Sequence, residues 1–352
     1  LAMYQPLHRL DICGALSELN QSSMSTSFAK LIQLVVREPQ EEALLRSRIE
    51  PLSPIDNTVS DAVRGQYEQH PYPRWFDLTE KSRISYYDYL NSLFPHFAPS
   101  EALREPVSVL SAGCGTGQEA AIIASGRLTE EVTGLDLSAT SLAYAQRMAT
   151  KKSLSNVKFV QGDILNLNEL GQTFPVIEST GVLHHMADPV AGWQSLVNVL
   201  REPGMMKVGL YSTRASKEVE KARAWIKAQG YPSDDETIKE VRAKILSADQ
   251  DHPLYALRHS EDFYSVSACR DLIFHVQECT YTPAELSPIL KQLGLNFIGF
   301  ELPTEQIRAD YLAQFPEDRS MTNLESWDQF DQKYPDTFSG MLVFWCQLEP
   351  RG

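Results

Sequence analysis

One stretch, residues 107–118, constrains more than any other how this chain folds. It reads Val-Ser-Val-Leu-Ser-Ala-Gly-Cys-Gly-Thr-Gly-Gln, so a run of β-prone, mostly apolar residues leads directly into three glycines on alternate positions. An alanine-rich segment, residues 119–124, follows and favours a helix. This order predicts a buried parallel strand, a tight turn and a helix whose first amides face the turn. Gly113, Gly115 and Gly117 allow strained backbone angles in the turn and allow a ligand to approach the main chain closely.

Asp136 supplies a second signal about twenty residues further on. It ends a short predicted strand, Val132–Leu135, and an acid at such a strand end is placed to accept hydrogen bonds from ribose hydroxyls. The glycine spacing then distinguishes between nucleotides. A dinucleotide-binding turn has the pattern Gly-x-Gly-x-x-Gly, which fits a pyrophosphate, whereas this turn has Gly-x-Gly-x-Gly and no phosphate-cradling Lys, Ser or Thr. The spacing therefore disfavours a nucleotide-binding oxidoreductase.

Residues 107–212 alternate regularly between predicted strands and helices, which indicates a parallel sheet with helices on both faces. The predicted third, fourth and fifth strands are Val157–Gln161, Val176–Ser179 and Met205–Tyr211. Ligands of open α/β sheets bind beyond the carboxyl ends of the strands. There, Asp163 follows the third strand, and His184 and His185 follow the fourth. We therefore expect these side chains at a binding crevice.

A family resemblance is carried by these segments together. The glycine turn, Asp136, Gly162-Asp163 and Gly181-Val-Leu-His-His185 resemble successive motifs of the class I S-adenosylmethionine (SAM) methyltransferases. More narrowly, residues 67–75, 262–278 and 335–341 resemble bacterial methyltransferases that are fused behind tetratricopeptide repeats, although no repeat is present here. The resemblance implies a doubly wound, mostly parallel α/β sheet of seven strands, Rossmann-like, with N-terminal helices and a helical insertion. It places the last strand, Met341–Leu348, antiparallel beside Leu295–Phe300.

The same resemblance implies the cofactor and its site. The cofactor is SAM, and the product is S-adenosyl-L-homocysteine. The expected cofactor-binding residues are Gly113, Cys114, Gly115, Gly117, Gln118, Asp136, Leu137, Asp163, Ile164, Thr180, Gly181, Arg74 and Tyr67. Pro175 and Met205 depart from the usual pattern, at positions that remove no cofactor contact.

Residues 64–75, with Pro71 and Pro73, predict an extended strap that carries Tyr67 and Arg74. Two interpretations are open. The strap packs its aromatic side chains on the core, or it is a lid over the cofactor, with Arg74 or Tyr67 against the methionine carboxylate. We expect an N-terminal helical segment with this strap over residues 1–100. A SAM-binding domain follows over 101–352, with the insertion at about 213–292.

The expected catalytic residues are His184, His185, His275 and Tyr211. Residues 268–278 predict a helix on which Asp271, His275 and Glu278 share one face. That face is either a solvated charged stripe or a polar wall of the acceptor pocket, with His275 as base. Methyl transfer from a sulfonium needs a base only when the acceptor carries a proton at neutral pH. We expect no metal.

Charge and composition restrict the partners. A formal net charge of −14 argues against a nucleic-acid backbone as the main partner. Five scattered cysteines without zinc-ligand spacing, and the lack of a signal peptide or a long apolar run, predict a reduced, cytoplasmic protein that does not enter a membrane. The first residue is Leu rather than Met, so a fragment of a longer protein is one expectation. We expect a methyl group to be moved to an O or N acceptor on a protein or peptide. The alternatives are a small-molecule methyltransferase and a catalytically silent interaction module.

Overall fold

The centre of the fold is a seven-stranded sheet. The computed structural model describes residues 13–19, 24–55, 57–79, 82–250, 252 and 254–349. The strands are β1 Val107–Ala112, β2 Thr129–Asp136, β3 Val157–Gln161, β4 Phe174–Thr180, β5 Leu200–Tyr211, β6 Leu295–Phe300 and β7 Met341–Leu348. Their order is β3-β2-β1-β4-β5-β7-β6. Strands β1 to β5 pair in parallel, and β7 runs antiparallel to β5 and β6. The predicted topology is confirmed.

Strand β1 shows why the sheet is covered on both faces. Successive side chains of a strand point to opposite faces, and here both faces are buried. Val109 packs with the cluster that contains Tyr86 and Ile123, whereas Leu110 packs with the cluster that contains Trp193. A strand buried on both faces has a mostly apolar sequence, and residues 107–112 fit this with Ser108 and Ser111 as the exceptions.

Helices form the two outer layers. They are α1 Cys13–Glu18, α2 Thr26–Ile32, α3 Glu38–Arg46, α4 Thr58–Gln69, α5 Tyr86–Leu93, α6 Gln118–Gly126, α7 Ala139–Lys151, α8 Pro189–Asn198, α9 Lys217–Gln229, α10 Asp235–Leu246, α11 Val266–Phe274, α12 Pro283–Gln292, α13 Glu305–Gln314 and α14 Leu324–Lys333. Side chains cap the N-termini of α7 and α12. Ser138 Oγ accepts the Ser141 amide at 3.1 Å, and Glu285 Oε2 accepts the Thr282 amide at 2.7 Å. Each cap satisfies an amide that the helix leaves unpaired.

The insertion after β5 has a hydrophobic cluster of its own. Helices α9, α10 and α11 bring Ala222, Ile238, Val241 and Ile273 together, each at most 1% exposed. All three helices lie within residues 213–292, where the insertion is expected. The division at residues 100 and 101, and the limits of the insertion, stay predictions.

The N-terminal part differs from the predicted strap. Helix α4 continues to Gln69, so Tyr67 is helical and the irregular path starts only at His70. The reason is that a proline restricts the residue before it, and the first proline of this stretch is Pro71. Asn57 Oδ1 caps the helix by accepting the amides of Val59 and Ser60. The predicted helices of residues 1–57 are found within the described part, whereas residues 1–12, 20–23 and 56 lie outside it.

Helix α11 is shorter than predicted. It ends at Phe274, because His275 has an extended backbone with φ −61° and ψ 137°. Val276, just beyond the end of the helix, is 46% exposed. Glu278 therefore lies beyond the helix, and the expected i, i+4, i+7 stripe is wrong. Among the described residues, none of the helices has both the length and the apolarity that a bilayer-spanning segment requires.

Candidate active site

A cavity of about 620 Å³ opens at the carboxyl ends of the five parallel strands, β1 to β5. We call its two sides the sheet wall and the helical wall. The sheet wall consists of residues that follow these strands, from Gly113 to Tyr211. The helical wall is contributed by α4, the segment after it, and the α9–α11 insertion. Its ionisable residues are Tyr67, Tyr72, Arg223, Asp262, Asp271 and Glu278.

The glycine turn forms the base of the sheet wall. Gly113, Gly115 and Gly117 have φ of +73°, +51° and +78°, in the left-handed region that favours glycine. A Cβ on Gly113 would lie 2.5 Å from Val182 Cγ1, and one on Gly115 would lie 3.1 Å from the Tyr72 carbonyl oxygen. The backbone here is bare because the neighbouring chain leaves no room for a side chain.

Asp136 links the turn to the next strand. Its Oδ2 accepts the Gly115 amide at 2.8 Å, and its Oδ1 accepts the Ser138 amide at 2.9 Å. Burial raises the pKa of Asp136 to about 6, against the effect of these amides, so the carboxylate is charged at pH 7. Each oxygen has further acceptor capacity, which suits a pair of vicinal hydroxyls.

Asp163 lies at the end of β3 and is 3% exposed. Its Oδ1 accepts the Leu165 amide at 3.0 Å, which caps a short 3₁₀ helix, Ile164–Leu170. Gly162, just before it, donates its amide to the Asp136 carbonyl at 3.0 Å. The two carboxylates are therefore held by adjacent strand ends, and both line the cavity.

Three histidines form a stacked cluster with Tyr211. The His184 ring centroid lies 4.2 Å from that of His185 and 4.1 Å from that of Tyr211, and the His185 ring stacks on His275 at 3.7 Å. Burial lowers the pKa of His185 to about 4 and that of His275 to about 2, and it lowers the pKa of His184 strongly. All three rings are neutral at pH 7. Neither nitrogen of His184 has a partner among the described residues.

Backbone groups assign the tautomers. The Gln277 carbonyl, 2.9 Å from His185 Nδ1, requires a proton there and leaves Nε2 as the acceptor. The Gln277 amide donates to His275 Nδ1 at 3.2 Å, so the His275 proton is on Nε2, 3.3 Å from the Tyr67 hydroxyl. That hydroxyl in turn donates to Asp271 Oδ1 at 2.7 Å. An oriented chain of hydrogen bonds thus runs from His275 through Tyr67 to Asp271.

The helical wall carries more acid than base. Arg223 forms a two-pronged ion pair with Glu278, with Nη2 to Oε2 at 2.7 Å, and also donates to the Leu272 carbonyl at 2.7 Å. Asp271 is 6% exposed, and burial raises its pKa to about 7. Its recorded side-chain hydrogen bond comes from the Tyr67 hydroxyl, which is a neutral donor. Asp262 likewise accepts from the Tyr72 hydroxyl at 2.8 Å.

The structure brings most of the expected site residues to one cavity. These are Tyr67, Gly113, Cys114, Gly115, Gln118, Asp136, Leu137, Asp163, Ile164, Thr180, Gly181, His185 and Tyr211. Gly117, Arg74, His184 and His275 are not part of the lining. Gly117 caps α6 against Ala145 and Phe159, and His184 and His275 lie behind His185.

The Arg74 side chain points away from the cavity because the next side chain, Trp75, packs against the glycine turn. Trp75 is 4% exposed and its Nε1 donates to the Thr116 carbonyl at 2.9 Å, so the strap is tied to the glycine turn. Neighbouring side chains of an extended segment face opposite ways, and the Arg74 guanidinium lies 5.4 Å over the Tyr144 ring. The Tyr67 hydroxyl donates to Asp271 Oδ1 at 2.7 Å, and its contact with the methionine carboxylate stays a prediction.

Residues that the sequence did not single out complete the lining. Glu119, Arg223 and Asp262 all line the cavity. The only local signal for Glu119 is its place just after the glycines. The other two lie more than 80 residues from them in the chain, so no motif spacing identifies them. Among the described residues, no group of three or more His, Cys, Asp or Glu side chains is arranged to hold a metal ion.

One family model and two curated proteins match parts of this chain. Residues 103–257 match the family model described as a methyltransferase domain. An uncharacterized protein of Synechococcus sp. is 25% identical over 280 residues, which cover 72% of this chain and 63% of that protein. The trans-aconitate 2-methyltransferase of Deinococcus radiodurans is 34% identical over 105 residues, 30% of this chain and 38% of that enzyme.

Among solved structures, PKMT2 from Rickettsia typhi in complex with AdoHcy has a similar fold. Its TM-score is 0.55 at 16% sequence identity, and the match covers 76% of this chain and 54% of PKMT2. The chain thus spans less than two thirds of the length of each of these three proteins.

Proposed function

Residues 103–257 match a methyltransferase domain, and we propose that this chain is a class I SAM-dependent methyltransferase that transfers the methyl group of SAM to an acceptor bound against the helical wall. The observation that carries the proposal is that one cavity joins the bare glycine turn and two strand-end carboxylates to a separate polar wall. The glycine turn and the two carboxylates suit a nucleoside, and the polar helical wall suits a second substrate.

The residues present fit the cofactor. Gly113 and Gly115 offer backbone without side chains, Asp136 would accept from the ribose hydroxyls, and Asp163 would accept from the adenine amino group. Thr180 and Gly181 would flank the amino-acid portion beside β4. When bound, SAM supplies an electrophilic methyl group on a sulfonium whose leaving group needs no proton.

The chain itself then orients the acceptor and removes any proton. Orientation of two reactants contributes up to about 7–11 kcal/mol to such reactions. A proton acceptor works best when its pKa is near the working pH. The pKa of Asp271 is about 7, whereas that of His185 is about 4 and that of His275 about 2. We therefore assign proton acceptance to Asp271, with Tyr67 and His275 holding its carboxylate in place.

We propose an amine nitrogen as the acceptor atom. Arg223 is already paired with Glu278, so Asp262 and Asp271 face the cavity with only tyrosine hydroxyls as recorded side-chain donors. A ligand that carries positive charge would relieve this excess of buried acid, whereas an anionic ligand would be repelled. An anionic acceptor such as the trans-aconitate named for the Deinococcus enzyme suits this wall poorly.

The amine also satisfies the proton balance. The ammonium form binds near Asp271 and gives up one proton to that carboxylate. The nitrogen lone pair then forms the new N–C bond as the C–S bond breaks, and the sulfur keeps the electron pair. Protein amines and small-molecule amines share this chemistry, and the experiment below separates them.

The test is incubation of the purified protein with methyl-labelled SAM and a lysate of the source organism. We expect label that survives alkali and, after acid hydrolysis, runs with methylated amines. Release of volatile methanol in alkali would indicate a carboxyl acceptor and would contradict the amine. Label that a 3 kDa filter retains indicates a macromolecular acceptor, and label that passes through the filter indicates a small-molecule acceptor. Asp271→Asn is the matched control, because it should bind SAM and transfer little. A protein that binds SAM and labels nothing would refute catalysis.

A further inference from the structure

Glu119 lines the cavity at its β4 side but has no role in the mechanism above. It is the second residue of α6, and its side chain is 26% exposed. Its Oε1 accepts from the Thr180 hydroxyl and from Lys207 Nζ, both at 3.1 Å. Among the described residues, its Oε2 has no recorded hydrogen-bond partner. One oxygen is therefore fixed, and the other is available to the cavity.

The groups around Glu119 leave it with excess negative charge. Lys207 Nζ also donates to Glu178 at 3.2 Å, so one ammonium group is shared by two carboxylates. Glu301 lies near enough to act on Lys207, and it accepts from Tyr89 at 2.9 Å and from Trp345 at 2.7 Å.

Arg127, the other nearby cation, does not fully compensate this negative charge. The Arg127 guanidinium stacks on the Tyr89 ring at 3.6 Å. Glu119, Glu178 and Glu301 thus outnumber the two cations, Lys207 and Arg127, by one.

Glu178 is not the place where a ligand could neutralise that charge. Its side chain is 4% exposed, and its oxygens already accept from Tyr86, at 2.7 Å, and from Lys207. It does not line the cavity, whereas Glu119 does. Burial and Glu178 both raise the pKa of the Glu119 carboxyl, and Lys207 opposes them. A cation in the cavity would be bound at Glu119.

The order of the strands indicates which part of a bound nucleoside would reach Glu119. The strand order β3-β2-β1-β4 places Asp163 after β3, Asp136 after β2, the glycine turn after β1 and Thr180 at the end of β4. Strands lie about 4.8 Å apart, so these four ends span roughly 14 Å. A nucleoside bound to Asp136 and Asp163 would extend its other end over the glycine turn to Thr180 and Glu119.

We infer that Glu119 binds the α-ammonium group of the cofactor's amino-acid portion through Oε2, while Lys207 and Thr180 hold Oε1. This rests on the proposed function. Glu119 is a binding residue for one chemical group, so its removal should affect only ligands that carry that group.

The test is a binding cycle by titration calorimetry, with two probes and two proteins. The probes are S-adenosylhomocysteine and the analogue that lacks only its α-amino group. The proteins are the wild type and Glu119→Gln. A hydrogen bond to a charged group is worth 1.5–3 kcal/mol, so the wild type should prefer the amino compound by about 10- to 100-fold. Glu119→Gln should reduce this preference to about threefold or less, with the analogue bound as by the wild type.

Glu178→Gln is the matched control, because it makes the same substitution in the same charge network away from the cavity. It should keep the preference within about threefold of the wild-type value. An unchanged preference in Glu119→Gln, or equal weakening of both probes, would overturn the inference and leave the proposed function standing. Failure of the wild type to bind either nucleoside would instead overturn the proposed function.

Discussion

Asp271→Asn is expected to stabilise the protein at alkaline pH while it reduces methyl transfer. Burial raises the pKa of Asp271 from an ordinary 3.8 to about 7. One pKa unit corresponds to about 1.4 kcal/mol, so the folded state disfavours the charged form by roughly 4 kcal/mol. Asn has the same shape without the charge, and its Oδ1 still accepts from Tyr67. We expect the free energy of unfolding to rise by about 1–3 kcal/mol at pH 8.

The sign of the pH dependence follows from proton binding. Between about pH 4 and 7 the folded state keeps a proton on Asp271 that the unfolded chain has released. The stability of the wild type therefore falls as the pH rises through this window, and that contribution is absent in Asp271→Asn. The difference between the two proteins should be largest at pH 8 and close to zero at pH 4.

Urea denaturation of both proteins at pH 4, 6 and 8 measures this difference. Asp262→Asn is the matched control, because Asp262 also accepts from a tyrosine hydroxyl but is only half-buried. Its stability change should be small at every pH. A constant difference between Asp271→Asn and the wild type, or a loss of stability at pH 8, would refute the argument from burial. The rate of transfer should fall by roughly 10²–10⁴-fold if Asp271 accepts the proton.

Three further predictions concern the sheet wall. Gly113→Ala should lower the free energy of unfolding by about 2 kcal/mol or more, because φ is +73° and the new methyl group overlaps Val182. Gly171→Ala is the control, because φ is +61° but no atom of the described residues lies near the new methyl group. It should lower the free energy of unfolding by only about 1 kcal/mol in the same denaturation assay. Asp136→Ala should weaken SAM at least about tenfold in calorimetry, and wild-type affinity should fall as the pH drops below about 6, where Asp136 is protonated. Trp75→Phe leaves the Thr116 carbonyl unpaired, which should cost about 1–3 kcal/mol of stability and weaken SAM without changing the acceptor KM.

The sheet and the nucleoside side of the site were predictable because their signals are local. Strand β1, the glycine turn and the start of α6 are contiguous, and Asp136 is the last residue of the next strand. A parallel sheet brings successive strand ends to one edge, so short motifs along the chain become neighbours in space. Helix α13 was not predicted because Tyr311 is its only buried residue, which leaves no apolar stripe to recognise.

The helical wall was not predictable in the same way, because its partners are distant in sequence. Tyr67 and Asp271 are 204 residues apart, and Arg223 and Glu278 are 55 apart. Residues 268–278 contain the right side chains, but the chain leaves the helix at His275. There the Gln277 amide bonds to the His275 ring and its carbonyl reaches His185. No periodicity in the sequence indicates that change of direction.

This difference between the walls bears on where the acceptor specificity lies. The sheet wall is formed by the ends of strands that also build the hydrophobic core. We therefore expect few substitutions there to be compatible with folding. Helices α9–α11 pack around a hydrophobic cluster of their own, and Arg223 and Asp271 lie on the surface of these helices that lines the cavity. Side chains on that surface are free to differ without disturbing the glycine turn or Asp136. We therefore expect the charges of the helical wall to select the methyl acceptor, and under the proposed function those charges favour a cation.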